Sequence, residues 1–200
     1  MIAAEHFPAR PRQTGMDMDE LRSTPFTKGL RQVLADTLQP GERVLWQGQP
    51  DGVARMMMLR LLWWIGLPWL LLAVAFRGWL DQAATPLLMV GVAMVAAPFV
   101  MWLFDLQTLF AITNRRALIV RTAWGKASSR GTVFADMDAT YEIMDIGRGA
   151  GHLNFASGVP THSPDSDYTG RYGFRCVRDP ARVRDILENA RRSRQSAHDA

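Results

Sequence analysis

Two long apolar runs separated by six residues constrain this 200-residue chain more than any other feature: Met56 to Phe76 and Ala83 to Phe104, joined by Arg77-Gly-Trp-Leu-Asp-Gln82. The first has 21 residues and a single charge, Arg60; the second has 22 and none. At about 1.5 Å per residue, each helix can cover a hydrocarbon core of roughly 30 Å. Hydrocarbon offers the backbone no water, so such a run satisfies its amides internally as a helix, and the short break returns the chain to the side it came from. The alternative is a pair of buried helices in a soluble core, which a mean hydropathy of -0.06 would suit. The polar flanks dilute that mean, however, and neither run has a hydrophilic face. The first run starts at Met56 and is followed by a second, which argues against a cleaved leader.

Basic residues set the expected orientation. Arg43, Arg55 and Arg60 precede or begin the first run, Arg115, Arg116 and Arg121 follow the second, and the connecting loop has Arg77 offset by Asp81. The positive-inside tendency puts both termini in the cytoplasm. Trp63, Trp64, Trp79 and Trp102 fall near the run ends and are expected, with Arg60, to anchor the hairpin at the two headgroup levels.

The flanks read differently. Residues 1–26 carry prolines and scattered charge with few large aliphatics, a composition expected to remain a disordered cytoplasmic tail. Thr27 can cap a short helix with Leu30, Val33, Leu34 and Leu38 on one stripe, stopped by Pro40-Gly41. Glu42 to Pro50 reads as one strand, so residues 27–55 hold a short helix and a strand. After the hairpin (56–104) the period becomes two. Candidate strands are Thr108 to Ile112, Ala117 to Arg121, Arg130 to Ala135, Ala139 to Ile146, His152 to Ala156 and Tyr172 to Val177. Thr113-Asn-Arg-Arg116 is a tight turn, and Ser157 to Gly170 a polar loop. Asp179 as cap and Pro180 at the first position open a final helix with Val183, Ile186, Leu187 and Ala190 on its apolar stripe. Residues 105–195 are thus a β domain closed by a helix.

One strand before the hairpin, six after it and a capping helix give an α+β chain. It resembles the bacterial pleckstrin-homology-like membrane proteins of the two-transmembrane-helix type. "PGERVLWQGQP" (Pro40 to Pro50) carries the resemblance through Glu42, Trp46, Gly48 and Pro50, and "FAITNRRALIV" (Phe110 to Val120) through Thr113, Asn114, Arg115 and Arg116. The resemblance covers roughly residues 38 to 190, with Phe110 where the family more often has Tyr. It implies a hairpin inserted in a seven-stranded antiparallel barrel, and it implies fold and topology far more than activity.

Chemistry is sparse. Gly147, Gly149 and Gly151 lack the spacing and the following helix of a dinucleotide loop, and read as a tight turn with Arg148 at its tip. Cys176 is the only cysteine, so no thiolate cluster can form, and it reads as a core residue. His152, His162, Asp165 and Asp167 show no recognised ligand spacing. No catalytic residue, metal or cofactor is expected. Residues 171–200 hold eight arginines against four acids, which suits apposition to an anionic leaflet better than nucleic acid. The expected function is therefore a non-enzymatic, multi-pass inner-membrane protein presenting its domain to anionic lipid, a protein partner or a second copy, with Arg115, Arg116, Arg148 and Trp46 as contact residues. One alternative is a small membrane enzyme using the His/Asp residues of 152–167. Another is an accessory subunit whose Gly66 and Gly91 allow close helix packing.

Overall fold

The computed structural model describes residues 26–80, 82, 84–123, 125–157 and 170–198. In chain order these form α1 (Thr27–Thr37), β1 (Val44–Gly48), α2 (Gly52–Met58), α3 (Arg60–Ala75), α4 (Arg77–Leu80), α5 (Ala84–Leu106), β2 (Thr108–Thr113), β3 (Arg116–Ala123), β4 (Lys126–Val133), β5 (Glu142–Gly147), β6 (Ala150–Ala156), β7 (Tyr172–Arg178) and α6 (Pro180–His198). Apart from Phe26, the expected N-terminal tail lies outside the described residues.

The seven strands make two antiparallel sheets, ordered β1-β2-β3-β4 and β5-β6-β7. No ladder joins them among the described residues, so a closed barrel is not formed by hydrogen bonding. Side chains join them instead. Phe174 of β7 stacks on Phe110 of β2 (4.8 Å between centroids), meets Phe155 of β6 edge-on (5.0 Å) and lies 5.8 Å from Trp46 of β1. The apolar stripe of α6, Val183 and Leu187, closes this core.

Strands β2 and β3 lack polar alternation because both of their faces are covered. Phe110, Ile112, Ala117 and Ile119 point into the core between the sheets, while Leu109, Ala111, Leu118 and Val120 meet Leu30 and Leu34 of α1 on the other side. Burying one such leucine contributes about 1.5–3 kcal/mol, which fixes a helix too short to persist alone. Thr27 does not cap this helix. Phe26 occupies the cap position without a side-chain bond, and Thr27 is buried inside the first turn. Strand β4 begins four residues before the expected Arg130. Its side chains are almost all exposed, so pairing with β3 specifies it and not apolar alternation.

Among the described residues one helix, α5, is long and apolar enough to cross a membrane; α2 and α3 make a second such span if counted together. The expected unbroken helix from Met56 to Phe76 is not formed, because α2 and α3 are bent by 54° at Leu59. Short-range bonds fix α2 in its own direction. Asp51 Oδ1 caps it through the Val53 and Ala54 amides, and Arg55 pairs with Asp105 of α5 at 3.1 Å. The Trp102 ring also lies against Gly52. Beyond the bend, α3 and α5 pack through Gly66 against Met94 and Val95, and through Gly91 against Trp69 and Leu70. Two indoles staple the pair: Trp63 Nε1 donates to the Val95 carbonyl (3.1 Å) and Trp69 Nε1 to that of Leu87 (3.0 Å). Gly66 and Gly91 allow close helix packing here between the two helices of the hairpin itself.

Two glycines test this packing. A Cβ on Gly173 would stand 1.9 Å from the Leu153 carbonyl oxygen, whereas one on Gly29, exposed in α1, meets nothing within 4 Å. Thermal unfolding in detergent should show Gly29→Ala gaining about 0.5–1 kcal/mol, or roughly 1–4 °C. Gly173→Ala should lose more than about 4 kcal/mol or fail to fold.

Candidate functional site

The domain has two chemically different ends, and strand direction decides which is which. Strand β1 runs into α2 and β2 emerges from α5, so Gly48, paired with Phe110, and Thr108 mark the end that carries the helices. Val44 and Thr113, also paired, mark the opposite end. Five residue steps of about 3.3 Å place the Thr113–Arg116 turn about 17 Å along β2 from its helix-bearing start.

At that far end the segments Pro40 to Pro50 and Phe110 to Val120 lock together. Gly41, with φ +77°, turns the chain out of α1 so that Glu42 points inward. Its carboxylate receives Arg116 at both oxygens, Nε to Oε1 and Nη2 to Oε2, each 2.9 Å. It also accepts the Thr113 hydroxyl (2.8 Å) and the Gln39 amide (2.9 Å). Arg116 Nη2 reaches the Thr37 carbonyl at the end of α1 (3.0 Å), and Asn114 Oδ1 accepts the Arg43 amide (2.9 Å). Burial alone would raise the Glu42 pKa. The bonds from Arg116, Gln39 and Thr113, together with the Arg116 charge, outweigh it and hold the carboxyl at about 2 against an ordinary 4.5. Arg116 therefore has its planar fork committed to structure. Its neighbour Arg115 is half-buried and, among the described residues, makes no side-chain hydrogen bond or ion pair.

At the helix-bearing end the acids and bases come from more elements. The Asp51 amide donates to the Cys176 carbonyl (2.6 Å), the Asp51 carboxylate takes Arg178 Nε (2.8 Å), and the Asp179 amide donates to Gly149 O (2.8 Å). These bonds bring the β5–β6 turn and the end of β7 beside the start of α2. The turn needs left-handed backbone throughout, with φ of +86°, +61° and +72° at Gly147, Arg148 and Gly149. Asp145 Oδ1 braces it by accepting the Gly147 amide (2.7 Å). Arg148 stands exposed at its tip. The β3–β4 turn is at the same end, since the Thr122 amide bonds Gln107 O and Ala123 pairs with Lys126 level with the last turn of α5. Among the described residues neither Lys126 nor Arg148 has an ion-pair partner.

The expected contact residues thus divide. Arg148 is exposed at the helix-bearing end, Arg115 and Arg116 are at the far end, and Trp46 is 7 % exposed within the core, so its ring offers no contact surface. The direction of β2 places Arg115 and Arg116 at the end of the strand away from the helices. Of the expected anchors, Trp64 and Trp79 are exposed (76 % and 91 %) and Arg60 is exposed without an ion pair, whereas Trp63 and Trp102 turn inward on Phe99 and Gly52. Asp105 pairs with Arg55, not with Arg60.

The described residues contain no group of three or more His, Cys, Asp or Glu side chains that could hold a metal ion. His152 is buried, and its Nδ1 accepts the Cys176 amide (3.0 Å). Cys176 is buried at φ +52°, and burial pushes its thiol up to about 11. His162, Asp165 and Asp167 lie outside the described residues. The C-terminal arginines are largely engaged within the domain. Arg171 pairs with Glu142, Arg178 with Asp51, Arg184 with Asp185, and Arg191 donates to the Met137 and Asp138 carbonyls while covering the Tyr141 ring. Sequence reasoning missed Asp51, Lys126 and Arg178. The Asp-Gly start of α2 was a readable capping signal, but the Lys126 and Arg178 positions depend on register. Comparison with known proteins identifies no relative: no protein-family model, curated protein or solved structure matches the chain.

Replacing Glu42 by Gln leaves the part-buried Arg116 charge uncompensated and should cost about 3 kcal/mol, the lower end for breaking a buried pair, in chemical denaturation. The folded pKa of Glu42 lies below the unfolded one, so its contribution is fully present above pH 4.5. The stability gap between wild type and Glu42→Gln should therefore be flat above that pH and shrink as pH falls toward 2.

Proposed function

We propose that this chain is a non-enzymatic membrane protein of the two-helix, pleckstrin-homology-like type, held by its hairpin so that the helix-bearing end of the domain meets an anionic leaflet and the Arg115 end faces the aqueous compartment. The membrane reading is supported by α5, only 11 % of whose most apolar stretch is buried, and by exposed Leu61, Trp64, Leu71, Leu72 and Met89 on the hairpin. So much apolar surface on a soluble monomer invites aggregation. Basic residues at the domain side and their scarcity in the loop favour a cytoplasmic domain with both termini inside, as in a multi-pass bacterial inner-membrane protein.

The observation that carries the reading is the end-to-end polarity of the domain. Arg148 and Lys126, which have no ion-pair partner among the described residues, stand on turns that flank the hairpin. Each cation near an anionic surface contributes about 1 kcal/mol, within a Debye length of about 8–10 Å. The Arg115 turn, roughly 17 Å away along β2, is beyond that reach and suits a protein partner. A 4+3 arrangement of antiparallel strands, closed by α6 and clamped by Glu42 and Arg116, supports the pleckstrin-homology-like reading.

Hydrogen exchange on the full chain in nanodiscs tests this. Moving from zwitterionic lipid to about 30 % anionic lipid should slow exchange at residues 145–149 and 125–127 and leave 113–116 unchanged. Arg148→Glu should reduce the difference. Added protection at 113–116, with none at 145–149, would refute the reading.

A further inference from the structure

The outer face of α3 carries a groove of about 390 Å³ lined by Arg60, Trp63, Trp64, Leu67, Pro68 and Leu71. These positions recur at helical spacing and form one stripe along the helix. The stripe is apolar except at its first residue. Pro68 makes the notch, because its short ring lies between the larger Trp64 and Leu71 and brings no amide hydrogen to bond the Trp64 carbonyl one turn back. Trp63 makes the fixed wall on the α5 side, held by its bond to Val95 O and by the Phe99 ring 5.5 Å away. Arg60 stands at the mouth, exposed and without an ion-pair partner among the described residues.

The geometry points to a binding site for one anionic phospholipid, its phosphate at Arg60 and an acyl chain along Trp64, Leu67 and Leu71. Two features select this occupant. From Arg60 to Leu71 is eleven residues, about 16 Å along the axis, which matches half of a hydrocarbon core of roughly 30 Å and therefore one leaflet's chain length. The single charge in the groove is a cation at the headgroup end, whose side chain leans toward the helix N-terminus and so toward the headgroups. A second copy of α3 packed symmetrically on this face would bring another Arg60 to the same level, a like-charge contact that no acid among the groove's lining residues relieves. The inference rests on membrane insertion of α3, as proposed above, and not on contact of Arg148 with the leaflet.

Native mass spectrometry of the full chain released from nanodiscs of mixed phosphatidylglycerol and phosphatidylcholine tests it. The expected result is one phosphatidylglycerol retained per chain in preference to phosphatidylcholine, with Arg60→Gln lowering that preference about fivefold. Leu67→Trp, which fills the groove and keeps the charge, should lower retention of both lipids while leaving the chain resistant to carbonate extraction. Equal retention of the two lipids by wild type and Arg60→Gln overturns the site, as does a lipid-free dimer. Removal of the wild type by carbonate overturns membrane insertion and the groove together, whereas an inserted chain that retains no lipid overturns the groove alone.

Discussion

Pairing of β1 with β2 is the constraint on which the rest of the structure depends. The whole apolar hairpin separates them in sequence, yet Gly48 lies opposite Phe110 and Val44 opposite Thr113. Two strands held side by side oblige the intervening helices to leave and return at one point, so α3 and α5 must pack antiparallel. The Glu42–Arg116 pair closes the opposite end of the same two strands and ties in α1 through the Thr37 carbonyl. A bidentate buried pair adds geometric specificity, and its removal leaves an unpaired charge, so this clamp fixes register more than it adds net stability. With register fixed, Phe110 and Trp46 arrive together beneath Phe174, and the two sheets share one core without a ladder between them.

The same constraint gives the domain a direction. Turns at the helix-bearing end are short and carry exposed cations, while the Thr113–Arg116 turn at the other end is mostly structural. An extended segment inserted into a domain usually disturbs its surface. Here it converts that domain into an oriented object, in which one end is held against the hairpin and the other is left open. Charge alone would not have assigned these roles, since arginines occur at both ends and most C-terminal ones are consumed by Glu142, Asp51, Asp185 and backbone carbonyls.

Much of the architecture was legible because the signals were local. The second apolar helix, the Thr-Asn-Arg-Arg turn, the Gly-Arg-Gly turn and the Asp179-Pro180 helix start all depend on neighbouring residues, and each is present. What was not legible depends on distant partners. The bend at Leu59 follows from Arg55 reaching Asp105 and from Trp102 lying over Gly52, contacts that no hydropathy pattern encodes. Strand β4 is specified by its ladder and not by its side chains. Trp63 and Trp102 sit at sequence positions suited to an interface, yet neighbouring helices claim their rings. The placement of Arg115 and Arg116 was accessible to a simple argument, since a hairpin leaving a helix turns back at its far end, but it requires knowing that β2 starts directly at that helix.

The proposed orientation of the domain over a bilayer is most directly measured by quenching. Cys176, the only native cysteine, is buried with its thiol pushed up to about 11, so a fluorophore can be attached selectively to a cysteine placed at position 148 or 115. In proteoliposomes containing a headgroup nitroxide lipid, the account predicts strong quenching at 148 and little at 115. Equal quenching at the two positions, or stronger quenching at 115, would contradict it.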